Sequence, residues 1–227
     1  PVDEDTATLK IVNTNVNSAN PSHERLIDYM IHEYPDIAVL LEINESWSEA
    51  LNRLDKIYPY RVERSQEGNF GITMLSRIPL EETAVRDLLG TPAVTADVIV
   101  NGHRLRVIGV HLQPPTSAAA AAQRDEQLEE LGRWMDEKPG PTIAVGDYNQ
   151  SLYSPIFSDW LVEHGLVSSA QTRLLPVSWP TFLPLLGIVI DHYVVTEQVV
   201  IGDYARGPSI GSDHYPLTAT ITLRENE

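Results

Sequence analysis

The chain has 227 residues, 42% of them hydrophobic, and carries 16 Lys and Arg against 32 Asp and Glu, a formal charge of −16. That size and apolar content predict one domain with a full core and exclude a disordered chain. The acidity argues against an avid binder of duplex nucleic acid or anionic lipid, and the lack of cysteine excludes disulfides, thiolate catalysis and sulfur-based zinc sites.

The basic residues are mostly Arg, with Lys only at positions 10, 56 and 138. Arg suits bidentate phosphate contacts, so a small phosphate substrate stays compatible with the charge. Apolar runs such as Ile37 to Leu41 fall far short of the ~20 residues that cross a bilayer. The chain opens at Pro1 with no Met and no signal peptide. We therefore expect an excised or processed piece, with an upstream anchor and an extracytoplasmic or membrane-tethered setting compatible with it.

Leu9 to Val12 predicts a first strand. Asn20-Pro21 then predicts a helix start, with Asn20 as N-cap, Pro21 at the first helical position and Pro35 as terminator. Leu26, Ile27, Met30, Ile31 and Tyr34 would form the apolar face of that helix. Ile37 to Leu41 predicts a buried strand ending at Glu42. Ser46 and Glu49 predict a capping box for a second helix carrying Ala50, Leu51 and Leu54.

The middle is strand-rich. Ile72 to Leu75 precedes a turn at Arg77-Ile78-Pro79, and Val94 to Val100 and Arg104 to His111 flank Asn101-Gly102, a strong hairpin signal. A helix follows with Leu128, Leu131 and Met135 on one face, and Lys138-Pro139-Gly140-Pro141 breaks it before a strand at Thr142 to Val145. Ser154-Pro155 starts a short helix that Gly165 ends. Ile188 to Val195 and Leu217 to Leu223 predict the last strands, the latter alternating Leu, Ala and Ile with Thr. Hairpins mixed with helices predict two largely antiparallel sheets packed together with helices outside, an α/β or α+β domain over 1–227 with no internal repeat.

Polar residues gather where strands end: Asn15, Glu42, His111, Asp147 with Asn149, Asp191 within an apolar strand, and Asp213-His214 before the last strand. Such residues can converge on one rim. Hard oxygen ligands without cysteine favour Mg²⁺ or Mn²⁺.

Asn15-Val16, Leu41-Glu42, Gly146-Asp147-Tyr148-Asn149, Ile190-Asp191-His192 and Ser212-Asp213-His214-Tyr215-Pro216, in that order, resemble the motif set of the endonuclease/exonuclease/phosphatase (DNase I-like) superfamily. Gly71 to Arg77 and Val110-His111-Leu112 also match its intermediate signatures. The resemblance covers residues 9 to 223. It implies a four-layered α/β sandwich and a divalent-metal-dependent phosphoester hydrolase. In that scheme Glu42 is the principal metal ligand, with Asn15 and Asp213 nearby. Asp147 positions or deprotonates the attacking water, and Asn149 donates to a phosphate oxygen. His214, bonded to Asp191, stabilises charge on the phosphoryl group, while His111 contacts phosphate or assists the leaving group. Leu41 and Thr14 depart from the pattern, where Gln and an aromatic residue are common.

The chemistry is coherent on its own terms. Phosphodiester hydrolysis needs an in-line water and compensation of charge on the non-bridging oxygens. A metal supplies Lewis acidity, a carboxylate can take the proton of the water, and an Asp–His pair favours a charged imidazole beside an anion.

Bland readings attach to other residues. His192 should face away from Asp191. His23, His32, His103 and His164 read as surface or helix residues, and Arg124 and Gln127 as braces of the site or, alternatively, contacts to substrate. Trp179 either lines the pocket or packs in its loop. The expectation is a monomeric Mg²⁺- or Mn²⁺-dependent phosphodiesterase or nuclease with a phosphoester substrate and no strong duplex binding. The alternatives are a lipid phosphodiesterase of the sphingomyelinase type, a non-catalytic phosphate-binding module on the same fold, and an interaction domain with coincidental motifs.

Overall fold

A computed structural model describes residues 8–169 and 177–224. Two six-stranded sheets pack face to face. The first has the order β11 (Val199–Arg206), β12 (Leu217–Leu223), β1 (Leu9–Asn15), β2 (Ile37–Leu41), β4 (Ile72–Ser76) and β3 (Tyr60–Arg64). The second runs β5 (Glu81–Leu88), β6 (Thr91–Val100), β7 (His103–His111), β8 (Thr142–Asp147), β10 (Asp191–Val195) and β9 (Val167–Ser168). Among the described residues only β1–β2 and β7–β8 pair in parallel, each across a helical crossover. The other pairings are antiparallel.

Helices α1 (His23–Glu33) and α2 (Glu45–Leu51) cover the outer face of the first sheet, and α3 (Ala118–Asp136) and α4 (Pro155–Glu163) that of the second. Three apolar layers result. The central one interdigitates Ile11, Val39 and Met74 with Val107, Val145 and Tyr193, which explains why β2, β4 and β8 are buried on both faces. The architecture is the expected four-layered α/β sandwich.

Several local boundaries differ from the sequence reading, each for a nameable reason. The α1 N-cap is Ser22, because Asn20 is occupied elsewhere: its amide donates to the carbonyls of Val16 and Ile210, and its Oδ1 accepts from the Ser22 amide. Ile31 and Tyr34 are half exposed, and Tyr29 takes the buried position instead, bonded to Thr218. The α2 cap is Asn44, whose side chain accepts from the Trp47 amide, so the expected Ser46–Glu49 box is displaced by two residues. β10 begins at Asp191 rather than Ile188, so Asp191 opens the strand instead of lying within it. β1 and β8 run on through Asn15 and Asp147. The Asn101-Gly102 hairpin turn is present, with both residues at positive φ (51° and 78°), as a tight primed turn demands. No described helix is long and apolar enough to cross a membrane.

Candidate active site

Strand register assembles the site. In the second sheet Asp147 sits opposite His111 on β7 and opposite Asp191 on β10, so three adjacent strands present His, Asp and Asp in one row. In the first sheet Asn15 sits opposite Leu41, which carries Glu42 at its end. β12 runs antiparallel to β1, which brings the segment before it, Asp213-His214, up beside Asn15. All eight residues singled out in the sequence reach this one end of the sandwich. Seven of them, Asp191 being the exception, line a cleft of about 340 Å³.

Tight backbone contacts fix this arrangement. A Cβ on Gly146, just before Asp147, would lie 1.8 Å from the Val110 carbonyl oxygen, and one on Gly71 would lie 1.8 Å from that of Ile43. Asn17, Glu42 and Asn149 have positive φ (59°, 63° and 48°). Asn enters that region readily, whereas for Glu42 the conformation is unusual and aims its carboxylate into the cleft.

His214 is the buried centre. Its Nδ1–H donates to Asp191 Oδ2 at 2.9 Å, and its Nε2 lies 3.6 Å from Asp147 Oδ2. His111 Nε2 is also 3.6 Å from that same oxygen. Burial alone would lower the His214 pKa, but the charge and hydrogen bond of Asp191, with the charges of Asp147 and Asp213, raise it to about 10. His214 is therefore a cation at neutral pH. His111 is the opposite case, lowered by burial and by the neighbouring His214 cation to about 4, and so neutral. Burial and the Asp191 charge push Asp147 up to about 7. The Asp147 Oδ1 accepts from the Asn149 amide at 2.8 Å, leaving Oδ2 facing both imidazoles.

Glu42 and Asp213 add two further carboxylates to the cleft lining. Glu42 accepts from Asn15 Nδ2 at 2.9 Å and from the Ser18 amide at 3.0 Å. Asp213 accepts from Asn17 Nδ2 at 2.9 Å and from Trp179 Nε1 at 3.0 Å. Burial raises the Asp213 carboxyl, yet the Asn17 bond, the His214 charge and the Trp179 bond outweigh it and leave the group below its ordinary value. Among the described residues, Asp147, Asp191 and His214 place ligand-type atoms within 4.8 Å of one another. A protonated imidazole bonded to its carboxylate cannot offer that nitrogen to a cation, so Glu42 and Asp213 suit a hard metal better.

The remaining residues sort as follows. Asn149 donates its side-chain amide to the Leu112 carbonyl at 2.9 Å, which holds the residue at the cleft rim. Arg124 donates to the Asn149 carbonyl, and Gln127 bonds the Gln113 amide, the Leu88 carbonyl and Thr91, so both are braces. His192 points away into the α4 side, between the Gln150 carbonyl and Ser168. His164 is less exposed than expected, packing its ring on Trp160 and bonding Asp136. His23 packs on Trp47. Sequence reasoning missed Asn17, Ser18, Asn69 and the Pro114-Pro115-Thr116 wall. Only the Asn15-x-Asn17 spacing after a strand hinted at a structured polar turn.

The profile of the Endonuclease/Exonuclease/phosphatase family matches residues 12–214. No curated protein matches the sequence. Among solved structures, the chain is similar to an endonuclease/exonuclease/phosphatase from Bacteroides vulgatus (TM-score 0.80, 14% identity, covering 96% of this chain and 100% of that one). It is also similar to D. rerio TDP2 complexed with single strand DNA product (TM-score 0.76, 18% identity, 95% and 99% covered). Sphingomyelinase C from Streptomyces griseocarneus shares the fold too (TM-score 0.68, 18% identity, 95% and 99% covered). With the profile running from β1 through His214 and the fold agreeing over nearly the whole chain, this protein belongs to the Endonuclease/Exonuclease/phosphatase family.

Proposed function

We propose that the chain is a divalent-metal-dependent phosphoester hydrolase, a phosphodiesterase or nuclease in type. The observation that carries this reading is the buried His214 cation, clamped by Asp191 and facing Asp147 across 3.6 Å at the floor of an open cleft. That separation exceeds a direct hydrogen bond, so a water from the cleft can bridge both groups, while a phosphoryl oxygen can accept from His214.

The carboxylate oxygens of Glu42 and Asp213 fit Mg²⁺ or Mn²⁺ by ligand type, with Asn15 holding Glu42 through its Nδ2. When bound there, such an ion supplies Lewis acidity toward the phosphoryl oxygens. The other roles belong to the chain. Asp147, with a pKa near the working pH, takes the proton of the attacking water, a contribution of ~10²–10⁴-fold. His214 offers a fixed positive charge to the non-bridging oxygens, and Asp191 holds its ring in place. His111, being neutral, donates or accepts beside the phosphate without repelling His214. Asn149 lies at the rim with one side-chain N–H held by the Leu112 carbonyl, which leaves the other as a neutral donor for a phosphate oxygen.

Turnover of bis-p-nitrophenyl phosphate in Mg²⁺ or Mn²⁺, its loss in EDTA and its return on adding metal back are the expected results. Undiminished turnover in EDTA would overturn the metal requirement. Ligand binding without any turnover would favour the non-catalytic module.

A further inference from the structure

Beside the cleft lies a surface that catalysis does not use. Residues 177–190 carry no charged side chain, in a chain of net charge −16. Within that stretch Phe182, Leu183, Leu185 and Leu186 are 77%, 46%, 95% and 76% exposed. They are held out by an ordered scaffold. Pro184 to Leu186 form a 3-10 turn, the Leu186 amide donates to the Leu183 carbonyl at 3.1 Å, and Trp179 and Ile188 bridge at the base. Thr181 ties the loop to the site, its amide donating to the Asp213 carbonyl and its hydroxyl to that of Ser212, both at 2.9 Å.

The apolar surface continues into the cleft. Trp179, Ile188 and Ile190 form one wall and Pro114 and Pro115 another, and among the described lining residues none is Lys or Arg. A cleft without fixed cations outside its reactive centre is poorly suited to track a polyanionic strand, whose affinity rests on many phosphate contacts. It suits a single phosphoester flanked by uncharged groups.

We infer that the Phe182–Leu186 loop seats in the surface of an uncharged, zwitterionic lipid layer and sets the cleft mouth over the phosphoester headgroups there. Three observations select this occupant. The exposed side chains present on the order of 500 Å² of apolar surface, below the ~800 Å² per partner of a stable protein dimer. Seating in lipid needs no complementary partner surface and gains with each buried apolar side chain. The acidic chain repels anionic membranes, which leaves neutral headgroups as the compatible surface. The role given to the cleft rests on the hydrolase reading above, whereas the docking surface stands without it.

The test pairs the wild-type chain with a Phe182→Ser, Leu185→Ser, Leu186→Ser variant. These side chains face solvent and lie outside the reactive set, and Leu185→Glu alone serves if the triple variant folds poorly. Sedimentation with phosphatidylcholine vesicles should carry the wild type down and lower the partition coefficient of the variant about tenfold or more. Hydrolysis of soluble bis-p-nitrophenyl phosphate should stay within about twofold of wild type. A wild type that remains in the supernatant, or a variant that sediments equally well, overturns the inference. So does a concentration-dependent dimer, or binding of single-stranded DNA, that only the variant loses. If vesicle binding falls in the variant while neither protein hydrolyses the soluble diester, the docking surface stands and the hydrolase reading fails.

Discussion

Burial by itself would keep the His214 imidazole neutral; the Asp191 carboxylate 2.9 Å away reverses that preference. Asp191→Asn keeps the shape of the pair and removes its charge. It should lower kcat on a soluble phosphodiester by about a hundredfold or more, with KM moving less, since the role proposed for the imidazolium is in the transition state. Near-normal kcat in that variant would show that the pair is structural. Charged and polar residues at strand ends were legible in the sequence, because a buried carboxylate such as Asp191 is costly without a partner. Asn17 and Ser18 were not legible, since one acts through a left-handed turn residue and the other through its backbone amide.

Close backbone approach at glycine lets neighbouring strands bring these residues together. Gly146→Ala would drive a Cβ into the Val110 carbonyl and separate β8 from β7, beneath both Asp147 and His111. The expected cost is about 2–4 kcal/mol in urea unfolding, with hydrolysis lost more steeply than stability. An unchanged unfolding midpoint would contradict this packing. Asn44→Ala should cost about 1 kcal/mol as a lost N-cap. It should also loosen Ser18, whose carbonyl accepts from the Asn44 amide, and so weaken the hold on Glu42. Strands and the Asn101-Gly102 turn were readable because period-two patterning and φ > 0 requirements are local. The two helix starts were misplaced because Asn20 and Asn44 are chosen by contacts with distant segments, which local capping rules do not contain.

The whole molecule carries a pH signature set by its buried groups. His111 and His192 are lowered to about 4, chiefly by burial, so below their unfolded value of 6.5 the unfolded chain binds two more protons. Asp147, raised to about 7, takes one proton in the folded state over the same range. The balance leaves the unfolded chain with about one more proton, so stability should fall as the pH drops from 6.5 toward 4. His192→Gln, which can still donate to the Gln150 carbonyl, should flatten that acid limb. On the alkaline side, His214 contributes stability that is complete below pH 6.5 and lost as pH rises toward 10. Chemical denaturation across pH 4 to 10 checks both limbs, and an acid limb as steep in His192→Gln as in the wild type would contradict the assignment.

The family shares one scaffold among several phosphoester chemistries, so the residues of the cleft must decide what this chain does. The most direct measurement is initial-rate hydrolysis of bis-p-nitrophenyl phosphate in Mn²⁺ by the wild type, Glu42→Ala and His214→Ala, side by side at pH 7.5. Turnover by the wild type with a loss of about a hundredfold or more in each variant is the predicted result. Full activity in both variants would contradict the assignment of this cleft as the active site.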